Sequence, residues 1–360
     1  MMNKNSRMFV DIHVLQTVPP SCVNRDDTGS PKTAIYGGVR RARVSSQAWK
    51  HAVRLTFRTM YTPDKLSART KRIVRMVEKH IQALSPDLKA ETEAVKVLKA
   101  AGLPINEKDL DKGTDALFFM SESQAEALAQ IAVNEPDKMQ DKEACKKAMK
   151  ENASIDLALF GRMVASDHSL NYDAAAQVAH AISTHSVQNE FDYFTAVDDL
   201  SSEDSAGAGH LGTVEFNSST LYRYATVNVN ELFGSLGDDT PEAVRRFTEA
   251  FVCSMPTGKQ NTFANRTLPD TVYVAVRKDQ PVNLVGAFEQ PVRQDSLGGY
   301  ANPSEKRLME YARKVYENFA GTPTKAWGVG ENVQSISEKK TFPEMLDALE
   351  DYLHTEISEG

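Results

Sequence analysis

The sequence predicts an α+β fold: a mixed core of strands and helices, interrupted by a helical insertion and carrying one long β-hairpin. Three observations predict it. Alternating apolar residues mark strands, most clearly in MFVDIHVLQT (8–17) and DTVYVAVRK (270–278). Residues 64–150 are instead rich in Ala, Lys, Glu and Leu with few β-branched pairs, a composition that favours helices. FDYFTAVDDL (191–200) and HLGTVEFNSSTLYRYATVNVNE (210–231) are strand-like runs joined by the acidic, Gly-containing SSEDSAGAG, a long-hairpin signal.

Taken in order, the 8–17 strand alternates Val10, Ile12 and Val14 with Phe9, Asp11 and His13. The polar loop PPSCVNRDDTGSPKTA follows, with Pro, Gly and Asp as turn formers. RARV is a short extended run. Ser45 or Ser46 then caps a helix from about Gln47 to Met60, with Lys50 and Arg54 four apart on one face. Near the end of the insertion, DKEACKKAMK sets Lys142, Lys146 and Lys150 on one helical face, either a solvated lysine surface or a polyanion contact. SIDLALFGRMVAS (154–166) is expected as a strand and YDAAAQVAHAISTH (172–185) as a small-residue helix. Thr240-Pro241-Glu242 opens a helix through about Ser254, and helices close the chain near 303–320 and 342–355. Without the insertion and hairpin, the order is that of a split βαβ, ferredoxin-like core, which RRM domains use for single-stranded RNA.

Composition narrows the function. The chain has 360 residues and a net charge of −7, yet residues 1–80 carry +11 and the remainder −18. That asymmetry points to one basic working face on an acidic body, with a polyanion as its ligand, or else to a helix surface simply solvated by its Lys and Arg side chains. No run approaches a membrane span, and MMNKNSRMFV lacks the apolar core of a secretory signal. Cys22, Cys145 and Cys253 form neither a disulfide framework nor zinc spacing, which suits ordinary thiols in a cytoplasm.

Several motifs carry little chemistry. GAGHLG (207–212) matches GxGxxG but leads into a strand, so no helix N-terminus is available for a pyrophosphate. Asp26-Asp27 and Asp198-Asp199 could hold Mg²⁺ for phosphodiester chemistry, but both pairs sit beside turn residues and neither has a His or Glu at ligand spacing. The eight histidines give no HExxH or HxH; His180 and His185, five apart, share no helix face and read as core or surface histidines. No GxSxG elbow occurs.

AIYGGVRRARVSSQAWKHAVR (34–54) is more informative. It holds Arg40, Arg41, Arg43, Lys50 and Arg54 and no carboxylate. A capped helix start offers free amides and the positive end of the macrodipole. Ser45, Ser46 and Gln47 add neutral donors, Lys50 and Arg54 add charge, and Arg25 and Lys32 close the other side. Such a groove tracks phosphates without reading bases. Tyr193, Phe194, Leu211 and Val214 on the hairpin, and Met163 in FGRM, are apolar groups on which splayed bases could stack, or hairpin side chains packed on their own sheet.

The blocks SCVNRDD, AIYGGVRRARVSSQAWKHAVR, ALFGRM, AHAISTH, FDYFTAVDDL, GHLG with T-EF, and YRYA occur in this order and resemble the CasC family. GKQNTFA and GAFE extend a weaker similarity to residue 288; the insertion and C-terminal tail resemble the family only loosely. That family is the repeated backbone subunit of Cascade, the type I-E CRISPR surveillance complex of antiviral defence. The resemblance implies an RRM-like palm (1–62, 151–190 and 221–360), a helical fingers insertion (63–150) and a protruding thumb hairpin (191–220). It implies copies stacked head to tail along a guide RNA, each thumb displacing one nucleotide, with the guide presented for pairing to target DNA. Phe194 and Leu211 would sit at the kink and Met163 would press on a base. Arg25, Lys32, Ser46, Gln47, Lys50 and Arg54 would line the phosphate path. Lys142, Lys146, Lys147 and Lys150 would face target DNA. Partners would be guide RNA, further copies, the large, small and guide-end-capping subunits, and target DNA, with no membrane, no cofactor and no enzymatic activity. Two rivals stand beside this: a metal-dependent ribonuclease using Asp26, as related type III backbone subunits cut RNA from a comparable loop, and a stand-alone RRM-like RNA-binding protein.

Overall fold

The structure is a computed structural model and describes residues 7–164, 167–196 and 210–359. The elements run β1 (Phe9–Ser21), β2 (Thr33–Tyr36), β3 (Val39–Val44), α1 (Ser46–Met60), β4 (Ser67–Thr70), α2 (Ile73–Leu84), α3 (Ala90–Ala100), β5 (Phe118–Ser121), α4 (Glu122–Asn134), α5 (Lys142–Glu151) and α6 (Ile155–Phe160). Then come β6 (Ala176–Val178), β7 (Ala181–Ser183), β8 (Glu190–Ala196), β9 (His210–Asn228), α7 (Val229–Leu236), α8 (Thr240–Cys253), α9 (Gln260–Phe263), β10 (Thr271–Arg277), α10 (Ala301–Val315), β11 (Lys325–Val329), β12 (Glu338–Lys339) and α11 (Phe342–Glu359). This is a mixed α+β chain.

Ten strands form one sheet in the order β12-β11-β10-β1-β9-β7-β3-β2, with β6 and β8 also on β9. Among the described residues only β11 and β12 pair in parallel. The alternation in β1 places Val10, Ile12 and Val14 in a core shared with α1, α6, α7, α8 and α11. Leu15 faces a second core with Tyr222, Tyr273 and α10. Asp11 and His13 are buried too, so this strand is covered on both faces. Residues from α2 to α5, with Val164 and Leu170, close a separate core. Within it the two-stranded β4–β5 sheet interrupts the helices; its four β5 residues are all buried.

Two expected elements are exchanged. Residues 155–160 form helix α6, not a strand: Ile155 to Leu159 are all buried, so the run shows no amphipathic period, and Gly161 at φ 71 ends it. Residues 172–185 contain strands β6 and β7, not a helix. Pairing with β9 and β3 overrides the helical preference of their alanines. Gly37 and Gly38, at φ 58 and 77, close a two-residue hairpin between β2 and β3.

Candidate nucleic-acid interface

The interface is assembled around α1. Ser45 is its N-cap, and its hydroxyl oxygen accepts from the Ala48 amide. Ser45 is buried and spent on this cap, so it is no outward donor; Ser46 is half-buried and Gln47 exposed at the first turn. The buried face, Trp49, Val53 and Phe57, fastens the helix to the sheet. The Arg223 guanidinium lies 3.7 Å from the Trp49 ring centroid and donates to Gln16 Oε1, holding α1 against β1 and β9.

The preceding loop is tied to that helix start by its backbone. Asn24 Oδ1 accepts from the Ser45 amide at 2.9 Å, and the Asn24 carbonyl from the Lys32 amide at 2.8 Å. The Lys32 carbonyl in turn accepts from the Arg43 amide at 2.9 Å. Lys32, Arg43, Ser46 and Gln47 are thereby brought to one end of α1, with exposed Arg25 on the same loop. A cleft of about 480 Å³ separates loop residues 23–29 from Ala48, His51, Ala52 and Leu55 of α1 and is floored by 255–258. Gly258 faces the Val23 carbonyl so closely that a Cβ would overlap it.

Lys50 and Arg54 lie on a different face of α1. Lys50 is half-buried, with Nζ 6.0 Å from the Phe160 ring centroid, and burial lowers its pKa. Arg54 is 19% exposed. Its Nε donates to Asp156 Oδ2 at 3.2 Å, Nη2 donates to the Ser67 carbonyl, and the guanidinium stands 4.4 Å from the Phe119 centroid. Burial lowers the Arg54 pKa, Asp156 opposes the fall, and Arg69 and Arg58 add to it. Arg54 therefore braces α1 against α6 and β4 and offers an already partnered charge. The stripe Gln47, Lys50, Arg54 continues to exposed Arg58, four residues on, which the sequence reading missed although the same spacing reaches it. Arg41 goes the other way: fully buried, it donates to the carbonyls of Tyr36, Ser183, Phe288 and Glu289.

Met163 is 86% exposed. Buried Arg162 presents it, donating to the carbonyls of Leu170 and Phe119 and to Gln124 Oε1. Phe119 is thus shared between the Arg54 and Met163 neighbourhoods. In the β8–β9 arm, Phe194 pairs with Gly212 and its ring covers the glycine, where any Cβ would overlap it. Phe191 and Tyr193 are exposed on the same arm. Leu211 pairs with Thr195, but its side chain lies outside the described residues, as do Asp198, Asp199 and the expected turn.

On α5, Lys146 pairs with Asp167 at 3.1 Å and Lys147 with Glu151 at 3.6 Å, while Lys142 and Lys150 are exposed with no ion pair among the described residues. The Ser169 hydroxyl and then Lys146 hold Asp167 down at about 2. Asp26 is occupied by its own turn: Oδ1 accepts from the Thr28 amide and hydroxyl and the Ser30 amide. These bonds lower its pKa, the Thr28 hydroxyl most. Among the described residues no three His, Cys, Asp or Glu side chains are grouped to hold a metal ion. Nor is any described helix long and apolar enough to cross a membrane.

A family described as CT1975-like protein matches residues 10–352. A chain of a solved structure titled "CRISPR RNA-guided surveillance complex, pre-nicking" is 33% identical, with TM-score 0.80, over 96% of this chain and 99% of that one. A second, titled "CRISPR RNA-guided surveillance complex", is 30% identical with TM-score 0.64 over the same shares. No curated protein matches.

Proposed function

The chain belongs to the CT1975-like protein family, and from that premise we propose that it is a guide-RNA-binding backbone subunit of a CRISPR RNA-guided surveillance complex. The subtype it fits is type I-E Cascade. The observation that carries the reading is the convergence of loop 24–32, Arg43 and the first turn of α1 into a cationic surface. Neither Lys32 nor Arg43 has an ion pair among the described residues. A sugar-phosphate backbone is the ligand for such a surface, because backbone amides and unpaired cations recognise phosphate irrespective of base.

On this reading the four mutually antiparallel neighbours β10-β1-β9-β6, with α1 and α8 on one face, support an RRM-like palm. The separately packed insertion supports the fingers, and the β8–β9 arm the thumb. Copies follow one another along the guide and hold it for pairing with target DNA. The other subunits and target DNA are further partners, and Met163 and Phe194 contact bases. The subunit is a scaffold and not an enzyme: Asp26 Oδ1 is committed to its turn and no described residues group with Asp26 to hold a metal ion, which weighs against the ribonuclease alternative.

The test is to purify the protein and ask whether it carries a discrete small RNA, judged by absorbance ratio and a denaturing gel. Guide-matched RNA incubated with Mg²⁺ should stay intact. Site-dependent cuts lost on Asp26→Ala would establish the ribonuclease instead.

A further inference from the structure

His180 has no role in the reading above, and the sheet gives it one. Strand β7 pairs with β3 through Ala181–Val44 and Ile182–Arg43, which brings the β6–β7 connection beside Arg43. Arg43 Nη1 lies 3.3 Å from His180 Nδ1. A guanidinium can only donate, so Nδ1 is the acceptor and the neutral ring carries its proton on Nε2. The His180 side chain is exposed. Lys32 is the third member, joined to Arg43 through the backbone bond already described. Burial lowers the His180 pKa first, and the charges of Arg43 and then Lys32 lower it further; no carboxylate opposes them.

Three basic groups from three segments of the chain therefore sit together, with no ion pair to any of them among the described residues. In the free protein this arrangement is repulsive, and an anion placed among them removes the repulsion. We propose that Lys32, Arg43 and His180 form a phosphate-binding site for the guide backbone, in which RNA binding is accompanied by uptake of one proton at His180. A phosphate oxygen is a better acceptor for Arg43 than the imidazole. Once Arg43 turns to it, Nδ1 is released and takes a proton from solvent, and both ring nitrogens become donors. The proposal rests on the guide-RNA reading and adds His180 to that surface.

The experiment is fluorescence anisotropy with one labelled single-stranded RNA at fixed salt between about pH 5.5 and 8, on the wild type and His180→Gln. Wild-type affinity should weaken as pH rises, by up to about tenfold per unit, and the variant should lose this dependence. Calorimetry of the wild type near pH 7 in two buffers of different ionisation heat should show proton uptake. RNA binding with the same pH profile in both proteins overturns the proposal and leaves the guide-binding reading standing. No RNA binding by either protein at any pH overturns both.

Discussion

His13 lies wholly inside the molecule, stacked on Tyr222 and Tyr273 and tilted against Tyr224, with Nδ1 2.9 Å from the Tyr222 hydroxyl. Burial lowers its pKa to about 3. Since an unfolded imidazole titrates near 6.5, the unfolded chain binds the extra proton, and the native state loses stability as pH falls from about 6.5 to 3. Asp11, on the same strand, behaves oppositely: burial raises it to about 6, so its protonated form favours the native state and that contribution is lost as pH rises through about 6. The two slopes oppose one another between about pH 4 and 6. In His13→Leu only the Asp11 slope remains. Its stability relative to the wild type should improve on acidification below about pH 6.5, by up to about 1.4 kcal/mol per unit. Thermal melts across that range measure it, and a constant difference would mean that His13 does not titrate on unfolding. Asp26 offers a second test at this scale. Asp26→Ala releases the three bonds that shape the loop bearing Arg25 and Lys32, so RNA affinity should fall severalfold while the salt slope is kept, because no cation is removed.

Helix α1 carries two jobs on adjoining faces, and substitutions must respect the division. Arg54→Ala would leave Asp156 buried without its cation, at a cost of about 3–5 kcal/mol, and so confuses binding with folding. Lys50→Ala combined with Arg58→Ala keeps that pair. It should weaken binding of all RNA sequences alike and reduce the salt slope by about 0.7 per lost contact; an unchanged slope would remove this face from the RNA path. The β8–β9 arm has its own test. Gly212 is needed because the Phe194 ring occupies the space of its missing side chain. Gly212→Ala should displace the ring and, like Phe194→Ala, alter the spacing of nuclease protection on bound RNA while the fold melts as before. Unaltered protection in both would leave Phe194 a packing residue of the arm.

Across the molecule, several basic residues away from the interface are neutralised locally. Arg75 pairs with Glu78, Glu91 and Asp111, and Arg245 with Glu249, Asp347 and Glu350. The −18 carried by residues 81–360 therefore coexists with a positive working surface. Such a distribution holds one polyanion on one face and discourages adventitious RNA elsewhere. If the proposed function holds, the chain should load in several copies on a long RNA, with length set by the strand, because a head-to-tail contact would not close on itself. Light scattering on a titration with RNAs of increasing length should give mass rising stepwise with length. One protein per strand at every length would favour the stand-alone RNA-binding alternative.

Periodicity, caps and charge act over a few residues, and these the sequence determined by itself. The β1 alternation, a serine cap of α1 at 45 or 46, the strand at 271–277, the closing helices and the cation-rich, carboxylate-free stretch at 34–54 are all readable locally. Tertiary structure decided what lies between distant segments. Short apolar or alanine-rich runs carry no decisive period, so α6 and β6–β7 took their form from the neighbours that bury them. The cap that identified α1 consumed the Ser45 hydroxyl, and a partner 102 residues away claimed Arg54. His180 meets Arg43 across 137 residues because sheet register, a long-range property, sets β7 beside β3.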